Sequence, residues 1–215
     1  MKYNTAIFDL DGTILDTLAD LRDSVNFALI KNGLPVRTTD EIRDFVGNGI
    51  RLLIERSVPC NTDNDIVDKC FLDFKEHYKT NSVNLTKPYD GICETLNELK
   101  KSGVKLAVVS NKADFAVQGL VEKYFPDLFD FAVGEREGVR RKPYPDSVLE
   151  VLKELSIRKN EAVYIGDSEV DIETTKNAGL PCIAVTWGFR DKNVLEAGSP
   201  EYIIDKPSQI TEIIL

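Results

Sequence analysis

The chain has 215 residues, 42% of them hydrophobic, and carries 36 acidic against 27 basic side chains for a formal charge of -9. That length falls between one large domain and two small ones and suffices for a substantial core. The acidic balance argues against a general affinity for nucleic acid or anionic membranes, and any anionic substrate needs locally placed cations. Cys60, Cys70, Cys93 and Cys182 are scattered, with neither a C-x-x-C pair nor His-paired spacing, which argues against zinc or a disulfide framework. No apolar run nears the roughly 20 residues of a membrane helix, and the first residues lead directly into a strand pattern, leaving no room for a signal peptide. A cytoplasmic protein is expected.

The first element is the apolar run Thr5-Ala6-Ile7-Phe8, which stops abruptly at Asp9-Leu10-Asp11-Gly12-Thr13. Alternate side chains of an extended chain share a face, so Asp9 and Asp11 can point to one spot while Gly12 permits a sharp exit. Such a pair suits a cation and a nucleophile; taken alone, it is equally a polar strand end. A calcium loop requires Gly at its sixth position and Glu at its twelfth. Ile14 and Asp20 stand there, and Ile172 stands at the sixth position counted from Asp167, so neither acidic cluster is an EF-hand.

Residues 17–83 read as helical, with Leu18, Leu21, Val25 and Leu29 at helical spacing and no convincing strand. A strand-helix-strand unit takes on the order of 30 residues, whereas far more separate the Asp9 strand from the next one. The surplus predicts a helical insertion, leaving a core of residues 1–16 and 84–215. Beyond residue 84, strand patterns over 104–109, 130–133, 162–165, 182–185 and 202–204 alternate with amphipathic stretches such as Ile92, Leu96 and Leu99, or Val148, Leu152 and Leu155. This is the pattern of a doubly wound α/β parallel sheet covered by helices. Ligands in such sheets bind at the carboxyl ends of the strands.

Three apolar strands end in polar residues: Asp9, then Ser110-Asn111-Lys112, then Gly166-Asp167-Ser168. Ser110 and Asn111 open a helix predicted over 112–124, whose N-terminus favours phosphate; either is also an ordinary helix cap. Lys142, kept out of helix by Pro143, is placed to bring one ammonium to the same edge, or else belongs to a solvated run with Arg140 and Arg141. Asp167 and Asp171 extend the acidic group. Neighbouring carboxylates about 4 Å apart repel by roughly 4 kcal/mol at an effective dielectric near 20, so the cluster calls for a counterion, and an all-oxygen set suits Mg²⁺. Asp171 alone is equally an exposed helix residue.

In order and position these four segments resemble the motifs of the haloacid dehalogenase-like hydrolase superfamily, over nearly the whole chain. The resemblance implies a doubly wound core with an inserted all-helical cap, and Mg²⁺-dependent phosphotransfer through an aspartyl-phosphate. Asp9 would be the nucleophile and Asp11 the acid/base. Ser110 and Lys142 would hold the phosphoryl oxygens, with Asn111 among the substrate-binding residues. The metal would sit on Asp9, the Asp11 carbonyl and Asp167, with Asp171 nearby, directly or through water. An Asp at position 11 fits phosphate chemistry rather than dehalogenation. The segments Asp16–Leu21, Val46–Ile50, Lys87–Gly91 and Val185–Phe189 are similar to those of phosphoglycolate phosphatases, which makes Asn48 and Arg51 the candidate cap contacts to a small anionic leaving group.

The mutase branch typified by β-phosphoglucomutase carries a His where this chain has Leu21, which favours hydrolysis. A pyrophosphatase or a nucleotide- or sugar-phosphate phosphatase is the alternative, and a non-catalytic anion binder would have lost the nucleophile, acid or lysine. The expected partner is a small phosphorylated metabolite, with no nucleic acid or membrane, for a monomer or homodimer. His77 reads as a helix-face residue, and Trp187 and Phe189 either as packing for the loop after the strand at 182 or as substrate contacts.

Overall fold

The computed structural model describes residues 1–215. Its contacts divide the chain into one unit formed by Met1–Leu15 and Pro88–Leu215 and a second formed by Asp16–Lys87.

The first unit is built on strands β1 (Thr5–Phe8), β4 (Lys105–Ala113), β5 (Phe131–Glu135), β6 (Ala162–Gly166), β7 (Cys182–Val185) and β8 (Tyr202–Ile204); the two-residue strands β2 (Leu15–Asp16) and β3 (Lys87–Pro88) fall where the chain passes between units. The six form one sheet in the order β5-β4-β1-β6-β7-β8. Every pairing is parallel, with Phe8 opposite Val108 on one side and Ile165 on the other. All four residues of β1 are buried, as expected of a parallel strand covered on both faces. Ile7, Ala107, Val109, Val133 and Tyr164 pack on one side against Val148, Val151 and Leu152 of α7 (Asp146–Glu154) and against Ala178 of α8 (Glu169–Ala178). From the other face the ring of Phe8 meets Phe129 edge-on, 6.2 Å between centroids.

The chain runs outward from β1 through β4 to β5, then returns to the other side of β1 for β6. That reversal opens the crevice in which doubly wound sheets bind ligands, at the carboxyl end of β1. The remaining helices of this unit are α5 (Ile92–Lys101), α6 (Asp114–Tyr124), α9 (Lys192–Gly198) and α10 (Ser208–Ile214). The doubly wound α/β class expected from the alternation is the one observed. A local difference concerns β4: the pattern predicts an end at 109 and a helix from 112, whereas the strand continues to Ala113, with a register shift against β5 between Val109 and Ala113, and α6 begins at Asp114. Gly134 has the physical reason, because a Cβ there would lie 2.4 Å from the Lys112 carbonyl oxygen; its absence lets β5 approach this stretch.

The second unit holds α1 (Leu18–Lys31), α2 (Thr39–Phe45), α3 (Ile50–Ser57) and α4 (Asn64–Asn81). Thr38 and Glu41 form a capping box at the start of α2, and Arg37 Nε donates to the Ser57 carbonyl at 2.6 Å. The unit runs to Lys87, past the boundary at 83 suggested by the helical pattern, because buried Asp20 of α1 accepts from the backbone N–H groups of Leu85 and Thr86 and from the Thr86 hydroxyl. His77 of α4 stacks on Phe27, 4.1 Å between centroids, with Nδ1 3.0 Å from Ser24 Oγ. No helix of the chain is long and apolar enough to cross a membrane.

Candidate active site

The Asp9 backbone N–H donates to the Ile165 carbonyl at 2.9 Å, carrying the ladder one step past β1 and fixing where the carboxylate emerges. Its Oδ1 accepts from Leu10 N at 2.6 Å and lies 3.0 Å from Lys142 Nζ. Gly12 then turns the chain with φ +83°, and a Cβ there would lie 2.3 Å from Asp167 Oδ2. Both the backbone conformation and the space therefore require glycine at this position. Gly188, on the loop after β7, meets the same demand from the other side, since its Cβ would lie 2.3 Å from that of Asp167.

Asp167 follows β6 and is held by Thr13 Oγ1 at 3.1 Å on Oδ1 and by Phe189 N at 2.7 Å on Oδ2. Asp171 projects from the first turn of α8 and is fully buried. Its Oδ1 accepts from Lys142 Nζ at 2.7 Å and lies 3.1 Å from the Tyr164 hydroxyl; Oδ2 accepts from Ser168 N at 3.1 Å and Ser168 Oγ at 2.6 Å. Protein donors thus reach both of its oxygens. Oxygen atoms of Asp9, Asp167 and Asp171 all lie within 4.8 Å of one another.

Lys142, joined to Pro143 by a cis peptide bond, is almost wholly buried. Its ammonium reaches Asp9 at 3.0 Å, Asp171 at 2.7 Å and the Tyr164 hydroxyl at 3.0 Å, matching its three donors to three acceptors. Asn111 Nδ2 donates to the Lys142 carbonyl at 3.0 Å and ties this segment to the end of β4. Ser110 is buried beside it, its Oγ accepting from Lys112 N at 3.3 Å. Because β4 extends to Ala113, Ser110 and Asn111 are strand residues rather than the opening of α6.

Burial pushes the Asp9 carboxyl up to about 7, with Asp171 and Asp11 adding to the effect and Lys142 opposing it. Asp167 is driven well above the usual carboxylate range, chiefly by burial and then by Asp171 and Asp9. For Lys142, burial works against the charge, but Asp171 and Asp9 outweigh it and hold the ammonium above its ordinary value. A cluster of buried carboxylates that resist ionising is one that a hard cation would relieve, and the all-oxygen donor set fits such an ion.

The sequence reading thus finds Asp9, Asp11, Ser110, Asn111, Lys142, Asp167 and Asp171 gathered at one sheet edge. Asn48, in the turn between α2 and α3, and Arg51 belong to the second unit; there the Arg51 guanidinium is engaged by Glu55 at 2.7 Å and by Asp68. Three participants went unassigned. Lys112 Nζ lies 2.8 and 2.9 Å from the two oxygens of Asp11. Tyr164 bridges Lys142 and Asp171 and sits 3.1 Å from the Val109 carbonyl. Thr13 holds Asp167. Tyr164 had a usable signal: a tyrosine inside an otherwise aliphatic buried strand needs a partner for its hydroxyl.

A family model described as haloacid dehalogenase-like hydrolase matches residues 6–185. A phosphoglycolate phosphatase of Aquifex aeolicus is 32% identical over 209 residues, covering 97% of this chain and 95% of the relative. One of Mesorhizobium japonicum is 34% identical over 203 residues, covering 91% and 88%. A crystal structure from Lactobacillus delbrueckii subsp. bulgaricus, provisionally described as a phosphoglycolate phosphatase, superimposes with a TM-score of 0.95 at 39% identity, covering 100% of this chain and 99% of that one.

Proposed function

The chain belongs to the haloacid dehalogenase-like hydrolase family and is a phosphoric monoester hydrolase, and from that premise we propose that it hydrolyses a small phosphomonoester, 2-phosphoglycolate, through a phosphorylated Asp9. The observation that carries this reading is the Asp9 carboxylate at the tip of β1, 3.0 Å from a buried ammonium and beside two further buried carboxylates. An Asp9 oxygen attacks phosphorus while the bond to the leaving oxygen breaks; its electron pair stays on that oxygen, which takes a proton from Asp11. Asp11, now a carboxylate, then removes a proton from water as the water attacks phosphorus, which releases inorganic phosphate, frees Asp9 and restores the acid. Ser110 and Lys142 hold phosphoryl oxygens, and Asn111 fixes Lys142 through its carbonyl.

The metal in this reading is Mg²⁺, which Asp9, the Asp11 carbonyl and Asp167 would hold, with Asp171 meeting it through water because its two oxygens already take four protein donors where those of Asp167 take one each. When bound, the ion neutralises charge on the phosphoryl oxygens. The choice of 2-phosphoglycolate is supported by the names of the relatives, the choice of reaction by the site. A cytoplasmic location fits a small phosphorylated metabolite as substrate. The test is a panel of 2-phosphoglycolate, pyrophosphate, nucleoside monophosphates and sugar phosphates, assayed with Mg²⁺ and with EDTA. The expected outcome is preference for 2-phosphoglycolate, loss of turnover in EDTA and loss of turnover in Asp9→Asn. Full activity of Asp9→Asn would overturn the mechanism, and preference for another member of the panel would overturn the substrate.

A further inference from the structure

Lys112 is an unexpected charge at the site. It stands on the extension of β4 that replaces the predicted start of α6, its side chain is only 3% exposed, and its ammonium spans both oxygens of Asp11 at 2.8 and 2.9 Å. A surface ion pair would be worth little and would not fix a geometry. This pair differs, because the lysine is withdrawn from water and the Asp11 side chain is itself only 15% exposed. The other buried lysine does not substitute for it, since the three donors of Lys142 point to Asp9, Asp171 and Tyr164. Each lysine therefore serves a different aspartate. The backbone on either side of Lys112 is fixed as well: its N–H donates to Ser110 Oγ at 3.3 Å, Gly134 leaves room for its carbonyl, and Asp114 Oδ1 accepts from Gly134 N at 2.8 Å.

We propose that Lys112 is a positioning residue for the leaving-group step, gripping Asp11 at both oxygens so that its carboxyl is presented in one orientation to the departing oxygen. The inference rests on the reading of Asp11 as the acid. When the ester bond breaks, the electron pair stays on the leaving oxygen, the proton moves to it from Asp11, and Asp11 becomes a carboxylate in a largely buried site. Lys112 is the cation that faces it at that moment. The consequence concerns leaving groups that need a proton: an alkoxide does, whereas p-nitrophenolate is stable enough to leave without one.

The test compares kcat/KM for 2-phosphoglycolate and for p-nitrophenyl phosphate, in saturating Mg²⁺, for the wild type, Lys112→Met, Lys112→Arg and Asp11→Asn. The ratio kcat/KM covers steps only up to leaving-group departure, so hydrolysis of the phosphorylated enzyme does not enter. Lys112→Met is expected to lose roughly 10- to 100-fold on the alkyl ester and less than about threefold on the aryl ester, carried by kcat rather than KM. Lys112→Arg keeps the charge, recovers the larger part of the ratio, and serves as the folded comparison if the methionine variant does not accumulate. An equal loss on both esters, or none on either, overturns the inference. If Asp11→Asn is selective for the alkyl ester and Lys112→Met is not, the role of Lys112 alone falls; if Asp11→Asn is itself unselective, the acid assignment falls and takes this inference with it.

Discussion

Ionising Asp9 in the metal-free protein works against the fold, and the size of the effect follows from its surroundings. Burial, Asp171 and Asp11 raise the carboxyl from 3.8 to about 7 against the pull of Lys142. A group that titrates higher in the folded than in the unfolded chain binds more protons when folded, so its stabilisation is complete below the unfolded value and disappears as pH rises through the folded one. At 1.36 kcal/mol for each tenfold change in proton affinity, the whole effect is about 4 kcal/mol. About 3 kcal/mol of it is lost between about pH 5 and about pH 8.5. Asp9→Asn carries no such proton, so the wild type should lose stability relative to this variant by that amount across the interval, measured by urea unfolding in EDTA. Added Mg²⁺ should return the loss at the alkaline end, since a bound cation holds the carboxylate ionised. A difference between the two proteins that stays level or grows with pH would refute the argument that burial dominates at Asp9.

Gly12→Ala places a Cβ 2.3 Å from Asp167 Oδ2 on a backbone with φ +83°; turnover should fall by at least about 100-fold with a stability loss of roughly 1–3 kcal/mol, read by assay and thermal melting. Asp20→Ala removes the acceptor of Leu85 N, Thr86 N and the Thr86 hydroxyl. Stranding those donors should cost about 2–4 kcal/mol and speed limited proteolysis around residues 82–86.

The parallel core was legible because its signals are local. Thr5–Phe8, Ala162–Gly166 and Cys182–Val185 are largely apolar runs, and Asp9 and Asp167 directly follow the first two, so placing those strands also places these residues. Asp171 stands in the first turn of the helix that follows Asp167, so its place comes with that strand, whereas the contact of Lys142 with Asp171 joins two segments that no local spacing connects. What escaped depends on pairs distant in sequence. Nothing near Lys112 says that its ammonium meets Asp11, and the end of β4 moved because of Gly134 on a neighbouring strand. Arg51 looked available for an anion, but Glu55 one helical turn on and Asp68 on α4 engage it.

The site gathers the carboxylates of Asp9, Asp11, Asp167 and Asp171 around only two ammoniums, those of Lys142 and Lys112. With every group ionised the count is -4 plus 2, or -2, which a single divalent cation brings to zero. The proposed mechanism accounts for the division of the lysines. A lone central cation would hold Asp9 and Asp11 in one electrostatic environment, whereas that mechanism asks the two to behave differently: Asp9 stays ionised and attacks, and Asp11 gives up and recovers a proton. Lys142, braced by Asp171 and Tyr164, is committed to Asp9. Lys112, anchored on a different strand, is committed to Asp11. The sheet edge makes this separation possible because β1 delivers both aspartates and its neighbour β4 delivers Lys112, while Lys142 arrives on the segment leading into α7. Two groups of one strand tip are thereby given distinct partners, as the distinct tasks proposed for them require.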